Sequence, residues 1–182
     1  MKKYLFIATI ILAIISCKSG DSKVNTDKDS LNIDTPTSFD QLKETDLNHV
    51  GDLSLGMKMN AVVEKLGEPE VKSKEEEWAA DGWIHQDWGY KAKGIYLNMT
   101  RDKDSSAIEV FSISITNPCQ FKTKKNVGIG STYDEVMTTY AQEIDKTSSD
   151  ENVVTVGSLY GGIIFEFSNK KVSKIFVGAA AE

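Results

Sequence analysis

The chain has 182 residues, 40% of them hydrophobic, and a formal net charge of −6. This acidic balance argues against nucleic acid as a partner and against a basic patch that would hold anionic lipid. The chain has only two histidines, which is few for a zinc site, since zinc needs about three or four ligands.

The first 17 residues have the layout of an export signal. Lys2 and Lys3 are followed by a mostly apolar stretch over residues 4–15. This stretch is too short for a membrane-spanning helix, which needs about 20 residues. It ends in the letters IISC at residues 14–17, which resemble the bacterial lipobox.

The lipobox resemblance implies cleavage before Cys17, diacylation of its thiol and acylation of its new amino group. Residues 1–17 are therefore predicted to be a lipoprotein signal peptide, and the acyl chains on Cys17 would anchor the protein to a membrane. The alternative is a plain buried or periplasmic cysteine after an ordinary secretory signal. Removal of the signal peptide would take away Lys2 and Lys3 and change the net charge of the chain from −6 to −8.

Cys119 would then be the one remaining thiol, so no intrachain disulfide is expected. The simpler interpretation of Cys119 is a small semi-buried residue, and the alternative is pairing with another chain. Residues 18–37 are polar and free of aromatic side chains, and we predict a flexible tether there. Residues 38–49 are predicted to form a short entry helix.

The rest of the sequence repeats itself. The matching stretches are 53–67 with 127–141, 94–99 with 162–167, and 110–115 with 172–177. The order of the stretches is the same in both copies, which predicts two tandem repeats over residues 50–120 and 121–182. Each copy alone would have a marginal core, so the two are expected to form one compact domain.

Each repeat is predicted to be a helix followed by a three-stranded antiparallel meander. The helix signal is an apolar stripe such as Val62, Val63 and Leu66. In the strand near 107–116, Phe111, Ile113 and Ile115 are expected to share one face. The predicted strands are 84–90, 94–100, 107–116, 153–160, 162–168 and 171–178. Alternating polar residues should leave one sheet face wet while the helices cover the other, which predicts a two-layer α+β domain.

Two stretches carry a family resemblance. GMKMNAVVEKLGEP with DWGYKAKGIYLNM resembles the repeat of β-lactamase-inhibitor-protein-like domains, and KTKKNVGIGSTYDEVMTTYA is similar to the opening of a second repeat. The wider group includes small outer-membrane lipoproteins of the barrel-assembly machinery. The resemblance covers about residues 50–182. It implies domains that have no catalytic residues and that bind other proteins, some through the exposed sheet face.

His85 is the strongest candidate for acid–base or metal chemistry, because Asp87 follows it closely. No second histidine and no cysteine lies near it in the sequence, so His85 is expected to be a surface or turn residue. The sequence therefore predicts no catalytic residue, no metal site and no cofactor beyond the acyl groups on Cys17. The protein is predicted not to be an enzyme.

All three tryptophans lie between residues 78 and 88, at five-residue spacing. Asp81-Gly82 is a signal for a two-residue hairpin loop, which would place Trp78 opposite His85. Trp88 has an apolar counterpart in the second repeat and is predicted to be core. Trp78 and Trp83 have none, and they are expected either to cap one end of the sheet or to project towards a partner.

These patterns predict a lipid-anchored, non-catalytic protein-binding lipoprotein of the bacterial cell envelope, in the outer membrane and facing the periplasm or the cell surface. The candidate contacts on the wet sheet face are Trp78, Trp83, Tyr90 and Tyr96. The partner would be an envelope or extracellular protein. Towards that partner, this protein would act either as an assembly scaffold or as an inhibitor or immunity-like blocker. The alternative is a lipoprotein that binds a glycan or a lipid through its surface aromatics.

Overall fold

The computed structural model describes residues 46–180. Several predicted features lie outside the described residues: the signal peptide (1–17) with the lipidation site Cys17, the tether (18–37), and most of the entry helix (38–49). The described chain begins with a short 3₁₀ turn, Asp46–Asn48.

The described part of the chain is an α+β fold with two helices and mostly antiparallel strands. The elements in chain order are β1 (His49–Val50), β2 (Leu53–Ser54), α1 (Met59–Leu66), β3 (Val71–Lys72), β4 (Glu76–Glu77), β5 (Ile84–Tyr90), β6 (Ile95–Arg101), β7 (Glu109–Thr116), α2 (Tyr133–Thr139), β8 (Val153–Ser158), β9 (Gly161–Ser168) and β10 (Lys171–Gly178). Strands β5 to β10 lie within two residues of the predicted strands at every end, because alternating apolar residues and turn-forming residues are local signals.

The main sheet has eight strands in the order β3-β5-β6-β7-β10-β9-β8, and β4 also pairs with β5. Strands β1 and β2 form a separate small hairpin. The order contains two meanders, β5-β6-β7 and β8-β9-β10, and their last strands pair with each other in the middle of the sheet. A surface on this sheet can therefore run without a break from one meander to the other.

The core lies on one face of the main sheet, beneath the helices. Val62 of α1, Val136 of α2 and the following Tyr140 belong to a single buried cluster with the inward side chains of the strands. Trp88 belongs to the same cluster and is 2% exposed, as predicted. The opposite face of the sheet has no helix of the described chain over it, and we call it the open face.

Helix α2 begins with a capping box. The Glu135 N–H donates to the Thr132 hydroxyl oxygen at 3.2 Å, and the Thr132 N–H donates to the Glu135 carboxylate at 2.6 Å. The Thr132 N–H and the Thr132 hydroxyl, which donates to the same carboxylate at 3.1 Å, lower the pKa of Glu135. Helix α1 follows Lys58, whose side chain makes no capping hydrogen bond, so the two helix starts differ in how their first N–H groups are satisfied.

Phe111 does not share a face with Ile113 and Ile115. The pairing of β6 with β7 skips Phe111, which is the extra residue of a β-bulge. Its ring is turned to the open face, where its centroid lies 4.9 Å from that of the His85 ring. The pairing of β9 with β10 has a similar irregularity, which skips Ser173.

Cys119 lies after β7 and is 5% exposed. Burial raises the pKa of its thiol, and a hydrogen bond with the Phe121 backbone acts in the opposite direction. A thiol in this position packs as a small apolar side chain, in line with the simpler of the two interpretations above.

Candidate functional site

Trp78 and Trp83 lie on a hairpin at the edge of the sheet. The Trp78 N–H donates to the Trp83 carbonyl oxygen at 2.9 Å, and the Gly82 N–H donates to the Trp78 carbonyl oxygen at 2.8 Å. The loop is therefore four residues long, 79–82, and the predicted pairing of Trp78 with His85 is wrong by two residues. Asp81 determines this loop, because its side chain accepts a hydrogen bond from the Trp83 N–H at 2.9 Å.

Trp78 nonetheless contacts His85, as a diagonal neighbour on the same face of the sheet. The two rings are stacked, with centroids 3.7 Å apart and planes 7° from parallel. Phe111 meets the Trp78 ring edge-on, with centroids 5.8 Å apart and planes at 82°. Trp78 is half-buried, so one of its ring faces lies against His85 while part of the indole is accessible.

His85 is not a surface or turn histidine, because the Trp78 ring and the sheet leave it 2% exposed. Its Nδ1 lies 2.6 Å from Asn98 Oδ1, and its Nε2 lies 2.9 Å from Asp81 Oδ2. Both ring nitrogens thus face oxygen atoms, one from strand β6 and one from the hairpin loop. The hairpin signal at Asp81-Gly82 already places Trp78 near His85, but the burial also involves Phe111, whose ring comes from a strand that is distant in the chain.

The hydrogen bonds continue from His85 across the open face. The Asn98 side-chain amide donates to Asp87 Oδ1 at 2.8 Å. This orientation of the amide turns Asn98 Oδ1 towards His85, so the His85 Nδ1–H is the donor of that bond. The Asp81 carboxylate can only accept, so with N–H groups on both ring nitrogens of His85 the residues Asp81, His85, Asn98 and Asp87 form one hydrogen-bonded chain, which links the tryptophan hairpin to the middle of strands β5 and β6.

Tyr96 lies on the open face and is 41% exposed, but Tyr90 does not belong to this face. Tyr90 is 1% exposed on the helix-covered side, where its hydroxyl donates to the Gly67 carbonyl oxygen at 3.0 Å. Burial, with a smaller effect from Glu68, raises the pKa of Tyr90 to about 12. The sequence already indicated the burial of Tyr90, because side chains two residues apart in a strand share a face and Tyr90 comes two residues after the predicted core residue Trp88.

Two hollows on the open face meet at Ser112. The near hollow has a volume of about 370 Å³ and lies around Gly89. The far hollow has a volume of about 500 Å³ and lies beside Phe111. We call the two hollows together the open-face groove. Its walls and floor include Trp78, Phe111, Ser112, Ser114, Tyr96 and Phe176.

The groove has an aromatic character and few charges. Phe176 of β10 and Tyr96 of β6 both lie directly across from Ser114 of β7, so a small side chain separates two rings. An ion pair between Lys174 and Glu166, 2.7 Å apart, lies at the far hollow. Asp87 and Lys91 line the near hollow. The chain thus presents apolar contact area with charged groups at the ends.

No protein-family model and no curated protein matches this sequence. Among solved structures, the chain is similar to a cysteine-rich secretory protein from Staphylococcus aureus subsp. aureus Mu50, with 14% sequence identity and a TM-score of 0.33. The match covers 68% of this chain and 44% of that protein. A similarity at this level does not identify a family.

Within residues 46–180, no helix is both long and apolar enough to cross a membrane. In the same part of the chain, no three or more His, Cys, Asp or Glu side chains are grouped so that they could hold a metal ion.

Proposed function

We propose that this protein is a non-catalytic, protein-binding lipoprotein of the bacterial cell envelope, and that its partner docks on the open sheet face. The observation that carries this proposal is the open-face groove, which has aromatic walls and a floor of small side chains. Tyr96 and Val71, at 41% and 46% exposure, border the near hollow. Aromatic side chains at such positions contribute much of the energy of protein interfaces.

Trp78 supports the proposal as a rigid wall of the groove. Its ring is held by the stack on His85 and by the edge contact with Phe111. A side chain that is already ordered loses little conformational entropy when a partner binds. The two sequence interpretations of Trp78 are therefore compatible, since one part of the ring packs while another part lines the groove. Trp83 remains a candidate contact through its place on the same hairpin, whereas Tyr90 is buried and cannot contact a partner on this face.

The environment of His85 supports a non-catalytic role. An acid–base catalyst must come within hydrogen-bond reach of a substrate. His85 has both ring nitrogens occupied by Asn98 and Asp81, and the Trp78 ring lies over it. This arrangement favours a role in which the imidazole positions its neighbours over one in acid–base chemistry.

The tandem-repeat relation is also part of this proposal, and it is supported by the sheet pairing. The bulged residues Phe111 and Ser173 are 62 residues apart, which is the offset between the matching stretches 110–115 and 172–177. In each half a helix precedes a three-stranded meander. The groove would then be a composite surface, with Tyr96 supplied by the first repeat and Phe176 by the second, in keeping with the resemblance to β-lactamase-inhibitor-protein-like domains.

The lipid anchor rests on the IISC sequence and is tested with the two cysteines of the chain. Cells are labelled with a clickable palmitate analogue, and the full chain is compared with Cys17→Ser and Cys119→Ser. We expect Cys17→Ser to lose the label and to leave the membrane fraction, while Cys119→Ser, a matched loss of one thiol, keeps both. Membrane retention of the Cys17→Ser protein would contradict the anchor.

Docking is tested by photo-crosslinking in intact cells. The photoreactive amino acid p-benzoylphenylalanine replaces Tyr96 in the groove or Tyr160, which is 77% exposed between β8 and β9 and serves as the matched control. We expect a discrete protein adduct from position 96 and none from position 160. Adducts that contain only lipid or glycan would favour the alternative function, and identical adducts from both positions would contradict docking in the groove.

A further inference from the structure

We infer that the hollow around Gly89 receives an arginine side chain of the partner protein. This inference rests on the proposed function, because the arginine belongs to a protein that docks on the open face. The hollow is bordered by Val71 and Tyr96 on the neighbouring strands, and by Asp87 and Lys91, two residues before and after Gly89 in the chain.

Neither the backbone conformation nor the packing at position 89 requires a glycine. Gly89 lies within β5, directly across from Val71 on one side and Tyr96 on the other. Its φ is outside the left-handed region, and an added Cβ would lie 3.7 Å from Val71 Cβ and 3.9 Å from Tyr96 Cδ1, which are ordinary contacts. Glycine weakens a strand interior, and one of the uses that justify it is the close approach of a ligand.

Gly157 gives the contrast, since it is the counterpart of Gly89 at the 68-residue offset of the matching stretches. Its φ is +88°, and an added Cβ would lie 3.1 Å from the Gly161 carbonyl oxygen. Backbone geometry therefore explains the glycine at 157 and leaves the glycine at 89 unexplained. Alanine at 89 would cover the floor of the hollow with a methyl group.

The charges of the hollow favour a cation at one end. The Asp87 carboxylate is held by the Asn98 amide, which donates to Oδ1 at 2.8 Å. Among residues 46–180, no hydrogen bond or ion pair uses Asp87 Oδ2. The ammonium of Lys91 would repel a bound cation and direct it towards the Asp87 end. The net charge of −6 attracts a basic partner surface at longer range.

The walls of the hollow favour arginine over lysine. A guanidinium group can lie against the ring of Tyr96 while its N–H groups bond the Asp87 carboxylate, because it is planar and weakly hydrated. The aliphatic stem of the arginine would lie over Gly89, next to Val71. The hydrogen-bonded chain from Asp81 through His85 to Asn98 fixes Asp87 before binding, so these three are positioning residues.

The hollow is tested by titrating the isotope-labelled full chain in detergent with N-acetyl-arginine amide and following its amide signals by NMR. N-acetyl-citrulline amide, an uncharged molecule of the same length, is the matched probe. We expect saturable shifts at Gly89 and Tyr96 with the arginine probe and about tenfold weaker binding of the citrulline probe, as for the loss of one charge-assisted pair. Asp87→Asn should weaken arginine binding by a similar factor.

Two further variants separate binding from folding. Gly89→Ala should keep or raise the melting temperature and lose the saturable shifts, while Lys91→Ala should keep or strengthen them. Equal binding of both probes, or arginine binding that survives Asp87→Asn and Gly89→Ala, would overturn the inference. If the arginine probe does not bind while position 96 still crosslinks to a protein, the inference is wrong and the proposed function stands. If the arginine probe binds while position 96 gives no protein adduct, docking of a protein is rejected and the cation site stands.

Discussion

The indole ring of Trp78 lies flat on the imidazole ring of His85, with centroids 3.7 Å apart and planes only 7° from parallel. This stack buries a polar ring on the face of the sheet that has no helix over it in the described chain. Through Asn98, the buried His85 also connects the hairpin to Asp87 in the near hollow. One contact thus joins the packing of the hairpin to the arrangement of the candidate binding surface.

The stack predicts that Trp78→Ala destabilises the protein. We expect the free energy of unfolding to fall by about 1–3 kcal/mol, because the substitution removes half-buried apolar area and the ring contacts with His85 and Phe111. Urea denaturation followed by circular dichroism measures the loss. Trp78→Phe keeps a ring over His85 and should recover at least half of it; an unchanged midpoint for Trp78→Ala would contradict the stabilising role of the stack.

The buried tyrosines predict a loss of stability in alkaline solution. The folded-state pKa of Tyr90 is about 12 against an ordinary value of 10.0, so the folded protein holds this proton more tightly than the unfolded chain. The contribution is fully present below about pH 10 and is lost as the pH rises to about 12. Burial also raises the pKa of Tyr140, which acts in the same direction.

Tyr90→Phe should therefore flatten the fall in stability over this alkaline range, while Tyr160→Phe, at a 77% exposed tyrosine, should leave it unchanged. The Tyr90→Phe protein also loses the hydrogen bond to Gly67, which we expect to cost about 1 kcal/mol at neutral pH. Denaturant midpoints measured across the pH range check both effects. A wild-type slope in the Tyr90→Phe protein would show that Tyr90 is not the titrating group.

The capping box of α2 predicts a loss of stability in acid, whereas the buried tyrosines predict a loss in alkali. Hydrogen bonds from the Thr132 backbone and side chain lower the pKa of Glu135 from its ordinary value of 4.5. The stabilisation is present above that value and is lost as the pH falls through the lower folded-state pKa. We expect Thr132→Ala to cost about 1 kcal/mol at neutral pH and less at a pH well below 4.5. Thermal melts of the two proteins at both pH values test this, and Thr132→Ser should behave like the wild type.

We predict that alanine substitutions at Gly157 and at Gly89 change the stability of the protein in different directions. Gly157→Ala would place a side chain at φ +88° and a Cβ 3.0 Å from Leu47 Cδ1. We expect a loss of about 1–2 kcal/mol from the left-handed backbone, increased by the crowding. Gly89→Ala should be neutral or stabilising, because it reduces backbone freedom in the unfolded chain at a position without strain. Equal melting temperatures for the two variants would contradict this difference.

The sequence by itself determined the parts of the fold that depend on neighbouring residues. Alternation and turn residues located strands β5 to β10, and an apolar counterpart in the predicted second repeat indicated that Trp88 is core. The same alternation, applied two residues further, would have placed Tyr90 inside. These features are predictable because a strand turns successive side chains to opposite faces wherever it is placed.

The tertiary structure alone decided the features that join separate strands. Phe111 reaches the open face because a bulge in β7 shifts its pairing with β6, and there its ring packs against Trp78 and against His85, which lies 26 residues earlier in the chain. Such registers depend on how strands distant in the chain pair and pack together. The open-face groove is therefore a property of the assembled sheet, and its residues could not be grouped before the strands were paired.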